Sequence, residues 1–167
     1  MNERENKYQW AGPYMYSRQM VVVRAESEIR TLQDLKGKRI AVQATTKAED
    51  LFLHNIESDL PQAEQVNCFS SSNELYAALR KNYADAIAGH EAMLGSLIQD
   101  GKGVYRMLEE SPYKSELGIA FKKGTHEELA EKLTETLTEM QSEGITEKIV
   151  TKYGLDADET LPGGESK

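Results

Sequence analysis

The sequence predicts an α/β fold, in which a mixed, mostly parallel sheet is flanked by helices and followed by further C-terminal helices. Two short β-prone apolar runs, residues 20–23 and 117–121, are bounded by charged residues, which is typical of strands buried on both faces. Between them, strand and helix signals alternate, as they do in an α/β layer with parallel strands. With 39% apolar and 29% charged residues, the chain has the composition of a protein with a packed core.

The first elements after residues 20–23 are a short helix, a strand and a longer helix. Residues 31–35 begin with a capping threonine and end at a Lys-Gly stop, which predicts a one-turn helix. A strand is predicted over residues 39–42. Thr46 and Glu49 have the spacing of a capping box, so we expect the next helix to begin at about Thr46.

The same order of elements repeats along the next fifty residues. A strand is predicted over residues 65–69, and Ser71 with Glu74 forms a capping box at the start of a helix. Another strand is predicted over residues 84–88, followed by a helix from about Glu91. The repetition indicates successive strand and helix units in one layer.

The C-terminal part of the chain is predicted to be helical. Thr125 and Glu128 have capping-box spacing at the start of a helix. One face of that helix carries a stripe of large apolar side chains: Leu129, Leu133, Leu137 and Met140. A shorter helix over residues 145–153 leads into a polar tail, which we expect to be frayed.

The charge of the chain excludes two classes of partner. The 20 basic and 28 acidic residues give a net charge of -8, and the basic residues are scattered. This pattern is unfavourable for tracking nucleic acid phosphates and for docking on an anionic membrane. No apolar run approaches the roughly 18 residues that span a bilayer, and no apolar signal core follows Met1. If the natural protein is exported, we expect its signal to have been removed from the front.

Cysteine and histidine usage predicts neither a metal site nor a cofactor. The single cysteine, Cys68, has no partner for an internal disulfide, and the three histidines are scattered. The cysteine count therefore does not distinguish a reducing from an oxidising compartment. Cys68 lies in a strand-like run, which favours a half-buried core thiol over a nucleophile.

Several segments, taken in order, resemble the type 2 periplasmic binding proteins, specifically the extracellular solute-binding protein family 3. That family includes the glutamine- and basic-amino-acid-binding components of bacterial ABC transporters. The strongest match is residues 31–43, which resemble the family pattern (S/T)-x-x-D-L-K-G-K-x-V-x-V-Q. Weaker matches that follow the family's order are Asn2-Glu3-Arg4, Gly12-Pro13-Tyr14, Ala84-Asp85-Ala86 and the run 117–124. Together they cover nearly the whole chain.

The resemblance implies how the chain is divided. In the family a first lobe precedes the Glu-Arg segment, and nothing here corresponds to it. We therefore expect a remnant of the first lobe over residues 1–19, and the hinge strands with the second lobe over 20–121. Residues 122–155 would be helices that normally pack on the first lobe, and 156–167 the polar tail. The family also implies a periplasmic or extracellular location.

The missing first lobe leads to a prediction about assembly. It would leave the four apolar side chains of the C-terminal stripe facing water, which is uncommon in a soluble monomer. We therefore expect a homodimer, formed helix to helix or by exchange of the hinge strands and C-terminal helices between chains.

The resemblance also implies a site for a free amino acid, which offers a carboxylate and an ammonium group. Arg4 resembles the family arginine that binds the carboxylate as a planar fork. Glu91 matches the position of the acidic residue that binds the ammonium group, where the family more often has Asp. The N–H groups of Thr46 and Lys47, at a helix start, are predicted to face the cleft. The structural alternatives are a solvated Arg4 and a Glu91 that only stabilises its helix.

Four further residues are candidates for the site. Gln43 and His90 follow predicted strands and would sense the solute's side chain, or they are simply satisfied polar residues. Tyr14 is a candidate to line the cleft. It stands near three other aromatic residues, Tyr8, Trp10 and Tyr16, and such a cluster favours packing among the rings. Thr45 stands where the family usually has a glycine, which lets the backbone approach a ligand closely. The threonine in place of glycine therefore predicts a looser contact between this part of the backbone and a ligand.

Three functions follow from the sequence. The first is a binding module for amino acids or similar small polar solutes, serving a membrane transporter or fused to a membrane receptor. The second is an enzyme, since the same fold carries prephenate- and arogenate-type dehydratases. No nucleophile and base, or paired carboxylates, can be placed together, so we predict no catalytic residue. The third is a non-binding remnant that serves as a protein-interaction surface.

Overall fold

The computed structural model of the chain describes residues 6–56 and 59–163. It divides into two compact units. The central unit is Arg18–Tyr113, and the terminal unit is formed by the residues before and after it.

One long strand, β1 (Tyr8–Arg24), runs through both units. The sequence predicts only residues 20–23 as a strand, because the preceding residues are aromatic and polar and have no apolar run. Within the central unit β1 pairs antiparallel with β4 (Ala86–His90) and with β5 (Tyr105–Met107). β6 (Tyr113–Lys122) also pairs with β1. The short strand β5 was not predicted.

The remaining strands complete a mixed sheet. β2 (Arg39–Gln43) lies between β3 (Gln65–Phe69) and β4 and is parallel to both. The strand order is β3-β2-β4-β1-β5. This arrangement confirms the predicted α/β class, and β2 and β3 occur where the sequence predicts them. β4 begins and ends two residues later than predicted.

Helices cover both faces of the sheet in the central unit. They are a 3-10 turn (Gln33–Leu35), α1 (Lys47–Phe52), α2 (Ser72–Arg80) and α3 (Glu91–Asp100). The predicted capping box of Ser71 and Glu74 is present at the start of α2.

The core of the central unit consists of two apolar clusters. Val21 and Val23 belong to one cluster, whereas Met20 and Val22 belong to the other. Successive strand residues point to opposite faces, so this alternation places one cluster on each side of the sheet. All four side chains are almost fully buried, which confirms the prediction for residues 20–23.

The terminal unit contains α4 (Glu127–Ser142), α5 (Ile145–Lys152) and α6 (Ala157–Thr160). The predicted capping box at Thr125 is wrong, because its hydroxyl donates to the carbonyl of Lys122 at 2.7 Å and closes the turn after β6. His126 takes the N-cap position instead, and α4 begins at Glu127, one residue later than predicted. Across the described parts of the chain, the helices lack the length and apolar character needed to span a membrane.

Two burial predictions are wrong in the terminal unit. Residues 117–121 are not buried on both faces, since Ile119 and Ala120 are exposed. A strand is buried on both faces only where helices cover it twice, and both apolar clusters lie in the central unit. The tail is not frayed throughout: Asp156 accepts a hydrogen bond from the N–H of Asp158 and caps α6, and Leu161 is buried.

Cys68 is exposed, whereas the sequence predicts a half-buried thiol. It lies on β3, an edge strand with one neighbour, so one side of the strand is open. Partial shielding of the sulfur from water, together with the Glu49 carboxylate beside it, raises the pKa of Cys68 to about 11. The thiol is protonated at neutral pH, as expected for a residue that is not a nucleophile.

Candidate functional site

One edge of the central sheet collects most of the predicted site residues. β2 and β4 are parallel and end at this edge with Gln43 and His90. β1 runs the opposite way, and its Gln19 is aligned with His90, so Arg18 lies at the same edge. Open α/β sheets bind ligands outside the carboxyl ends of their strands. We call this region the carboxyl edge.

The turn between β2 and α1 does not form the predicted capping box. The hydroxyl of Thr46 donates to the carbonyl of Gln43 at 2.7 Å, and does not accept from Glu49. The Glu49 carboxylate accepts from the N–H of Thr45 at 2.6 Å. The reason is the left-handed backbone of Thr45, with φ of 61°, which turns its N–H towards Glu49.

Thr45 therefore has the backbone conformation that glycine adopts without strain. For a β-branched residue this conformation is strained by about 1–2 kcal/mol. The structure keeps a glycine-like turn and adds a side chain to it. The looser contact with a ligand that the sequence predicts at Thr45 stays a prediction.

Lys47 begins α1 and lies over an aromatic ring. Its Nζ is 4.4 Å from the centroid of the Tyr113 ring, a cation–π contact. The single O–H of Ser111 is shared between the carbonyls of Gln19 and Tyr113, which lie 2.9 and 3.0 Å from its oxygen, and so ties this segment to β1. Ser111 and Tyr113 were not predicted, because no motif marks them.

His90 and Glu91 join β4 to α3. The Nδ1 atom of His90 accepts a hydrogen bond from the N–H of Ala92 at 3.3 Å, so His90 caps the helix. This is the structural role that the sequence left open as the alternative to solute sensing. The side chain of Glu91 points inward and is only 13% exposed.

Glu91 has a partner, Arg18, that the sequence does not predict. Arg18 Nε donates to Glu91 Oε2 at 2.9 Å, and Arg18 Nη2 donates to Oε1 at 2.5 Å. The Arg18 side chain is 11% exposed. The one signal in the sequence is a charged residue two positions before the apolar run 20–23, and such a position is more often a strand end.

Two predicted site residues have not been placed so far. Arg4 lies outside the described residues. Tyr14 lies on β1 in the terminal unit and is half-buried, so its role in a cleft stays a prediction. Tyr8 and Trp10 pack edge to face, with ring centroids 5.8 Å apart, as the packing interpretation predicts.

Metal ligands are not grouped in the part of the chain that the structure describes: no three His, Cys, Asp or Glu side chains are arranged to hold an ion. A groove of about 530 Å³ in the terminal unit lies between the start of β1 and one face of α4. Its walls include Trp10 and three glutamates: Glu131, Glu135 and Glu139. The residues that line it include no cation and no carboxyl end of a strand, so we assign the candidate site to the carboxyl edge.

Solved structures define the class of protein. The second substrate binding domain of a putative amino acid ABC transporter from Streptococcus pneumoniae Canada MDR_19A matches with a TM-score of 0.71 and 26% identity, covering 92% of this chain and 68% of that one. The cysteine-binding protein from Campylobacter jejuni matches with a TM-score of 0.69 and 22% identity, covering 96% of this chain and 65% of that one. The fold is thus that of the periplasmic binding proteins, as predicted.

The sequence comparisons show the family. The profile described as "ABC transporter, phosphonate, periplasmic substrate-binding protein" matches residues 9–160, and the chain belongs to this family. The L-cystine-binding protein TcyJ of Escherichia coli (strain K12) is 27% identical over 158 residues, which are 93% of this chain and 57% of that protein. The chain therefore spans a little over half the length of this relative.

Proposed function

We propose that this protein is the solute-binding component for amino acids or similar small polar solutes, acting with an ABC transporter. The observation that carries the proposal is the carboxyl edge, where β2 and β4 end in polar residues in a fold whose relatives are substrate-binding proteins. TcyJ is named for binding L-cystine, which supports an amino acid as the solute class. The relatives named above are binding proteins, so the dehydratase alternative receives less support.

The proposed roles follow from the positions of the side chains. Gln43 and His90 end the two parallel strands and would contact the polar end of the solute. Lys47 and the main chain at Thr46 would supply donors for a carboxylate. Arg4 is proposed as the planar fork for that carboxylate on the basis of the family resemblance.

A titration with a matched pair of variants tests the proposal. Calorimetry of the protein in its natural full-length chain, against a panel of L-amino acids and their deaminated analogues, should detect binding of at least one compound. Gln43→Ala should weaken that binding by about tenfold, since a buried solute group would lose its partner. Gln62→Ala is the control, because Gln62 is exposed and its carbonyl bonds to Gly37, before the start of β2. No binding, or equal loss in both variants, would contradict the proposal.

We propose a periplasmic or extracellular location, in keeping with the family. Use by a transporter and use by a fused receptor differ in the phenotype of a deletion strain. Lost uptake of the bound solute supports the transporter, whereas intact uptake with a lost response to the solute supports the receptor.

The division of the chain into hinge and second lobe (20–121) and lobe-packing helices (122–155) is also a proposal. With it we propose a homodimer through the stripe on α4. Leu129 is 47% exposed, and Leu133, Leu137 and Met140 are half-buried. Sedimentation equilibrium should show a dimer that Leu133→Glu dissociates and Leu53→Glu does not, since Leu53 is 44% exposed but lies in the central unit. A wild-type protein that stays monomeric at high concentration would contradict the proposed homodimer.

A further inference from the structure

Glu49 connects the turn after β2 to two neighbouring elements. Its carboxylate accepts a hydrogen bond from the N–H of Thr45 at 2.6 Å, and the thiol of Cys68 on β3 donates to it as well. A bond from a backbone N–H to a carboxylate is charge-assisted and stronger than a bond between neutral groups. Because Glu49 itself belongs to α1, its side chain ties the turn both to that helix and to β3.

The turn needs such a contact because Thr45 has a strained backbone. Its φ of 61° lies in the left-handed region, which glycine adopts freely and a β-branched residue adopts only when its surroundings hold it there. The neighbouring bonds do not use the N–H of Thr45. The N–H of Ala44 donates to the carbonyl of Phe69 at 2.8 Å, and the hydroxyl of Thr45 donates to the carbonyl of Ala44 at 2.7 Å. Among the described residues, the acceptor for this N–H is therefore the Glu49 carboxylate.

The conformation of Thr45 also determines the surroundings of Gln43, which ends β2 at the carboxyl edge. The hydroxyl of Thr46 donates to the carbonyl of Gln43 at 2.7 Å and closes the turn around Thr45. That closure depends on the reversal of the chain at the left-handed residue. If Thr45 relaxed to an extended conformation, Thr46 would be carried away from Gln43 and this bond would be lost.

We infer that Glu49 is a positioning residue of the solute site: it holds Thr45 in the left-handed conformation and so fixes Gln43 and the turn at the carboxyl edge. The inference rests on the proposed function, because it concerns the same edge, and it adds a residue that acts without touching the solute. A carboxylate that only stabilised α1 would behave differently. Its removal would lower the stability of the protein but leave the solute affinity of the folded protein unchanged.

A double-mutant cycle between positions 45 and 49 tests the inference. The probes are L-alanine, L-glutamine, L-glutamate and L-cystine, titrated by calorimetry into the protein in its natural full-length chain, and the probe that binds most tightly is used throughout. Glu49→Ala should weaken binding by about tenfold, because Thr45 loses its acceptor and relaxes. Thr45→Gly should change the affinity by less than about threefold, since glycine adopts this φ unaided. The double variant should bind within about threefold of wild type, because the glycine no longer needs Glu49.

Two further variants separate positioning from charge and from general destabilisation. Glu49→Gln keeps an oxygen that accepts the N–H of Thr45, so it should bind within about threefold of wild type. The same variant should make alkylation of Cys68 faster, because the carboxylate charge beside the thiol is removed. Asp34→Ala is the matched control. Asp34 accepts from two backbone N–H groups at 2.9 Å in the turn before β2, away from the carboxyl edge, so its loss should leave the solute affinity unchanged.

The outcomes distinguish this inference from the proposed function. Unchanged affinity in a folded Glu49→Ala variant, no recovery in the double variant, or an equal loss in Asp34→Ala would overturn the inference alone. If Glu49→Ala does not fold, the double variant decides: binding close to that of wild type supports the inference, whereas weakened binding or failure to fold overturns it. Absence of binding by every probe to the wild-type chain would overturn the proposed function, and the inference with it.

Discussion

The central and terminal units both contain strands and amphipathic helices but bury very different sets of apolar side chains. Among the described residues, the buried apolar side chains of the terminal unit are Ala11, Ala130, Val150 and Leu161, and all others lie in the central unit. In the central unit a sheet is packed between helices on both faces. In the terminal unit, the amphipathic helix α4 buries only Ala130.

The difference shows that an amphipathic pattern predicts a helix and its apolar face, but does not predict what covers that face. The apolar residues of α2 meet a sheet, and Leu75 and Leu79 are fully buried. The stripe of α4 has equally large side chains with correct spacing, and Leu129 is still 47% exposed. Stability should therefore reside in the central unit, and the five predictions below test this from the largest expected effect to the smallest.

The largest effect is expected from removing one leucine in each unit. Leu79→Ala should lower the free energy of unfolding by about 3 kcal/mol, because it leaves a cavity in a closed core. Leu129→Ala, the matched change on α4, should lower it by less than about 1 kcal/mol. Urea unfolding followed by circular dichroism measures both, and equal losses would remove the distinction between the units.

The next effect concerns the ion pair at the start of β2. Asp85 accepts from the N–H and Nε of Arg39 through Oδ2 and from Nη2 through Oδ1. Asp85→Asn should lower the free energy of unfolding by about 2 kcal/mol, since charged hydrogen bonds are lost in a partly buried setting. Asp59→Asn is the control, because Asp59 is exposed.

The same pair predicts a dependence on pH. Hydrogen bonds from the Arg39 guanidinium hold the pKa of Asp85 below its ordinary value. A carboxylate with a lowered folded pKa stabilises the protein fully above its unfolded pKa of about 4, and this contribution is lost as the pH falls through the folded value. The difference in stability between wild type and Asp85→Asn should therefore shrink below about pH 4, and a difference that grows there would contradict the assignment.

A smaller effect is expected in the terminal unit. The hydroxyl of Thr134 accepts from the N–H of Gly12 at 3.1 Å and donates to the carbonyl of Ala130 at 2.8 Å. Thr134→Val keeps the shape of the side chain but leaves the N–H of Gly12 without this acceptor. It should therefore lower the free energy of unfolding by about 1 kcal/mol. Thr136→Val loses only a bond to its own helix and should have almost no effect. Equal losses would show that the bond to β1 does not stabilise the terminal unit.

The smallest effect is expected at Cys68, an exposed position within the well-packed unit. Cys68→Ser should change stability by less than about 0.5 kcal/mol. Because the thiol pKa is raised to about 11, alkylation of the wild-type thiol near pH 8 should be about tenfold slower than that of free cysteine. Glu49→Gln should make the alkylation faster, because it removes the carboxylate that helps to raise the thiol pKa. Glu74→Gln, the control, should leave the rate unchanged. Fast alkylation in the wild type would contradict the raised pKa.

The sequence predicted the fold and much of the edge that carries the candidate site. Strands β2 and β3 and the helix after Ser71 depend on residues within a few positions of one another, so their patterns are visible along the chain. The placement of Gln43 and His90 followed from the same local patterns, because the ends of parallel strands meet at one edge. The predicted strand at residues 20–23 was too short, since backbone pairing extends β1 through polar residues that have no apolar pattern.

The sequence by itself determined the α/β class, the order of the elements and the resemblance to a family, because each of these rests on local spacing and residue type. Only the tertiary structure decided which groups meet. Arg18 and Glu91 are 73 positions apart and Arg39 and Asp85 are 46 apart, and no local pattern marks either pair. Their contact depends on the antiparallel pairing of β1 with β4 and the parallel pairing of β2 with β4. The charged groups that meet at the carboxyl edge are therefore set by strand pairing, which the spacing of residues along the chain does not encode.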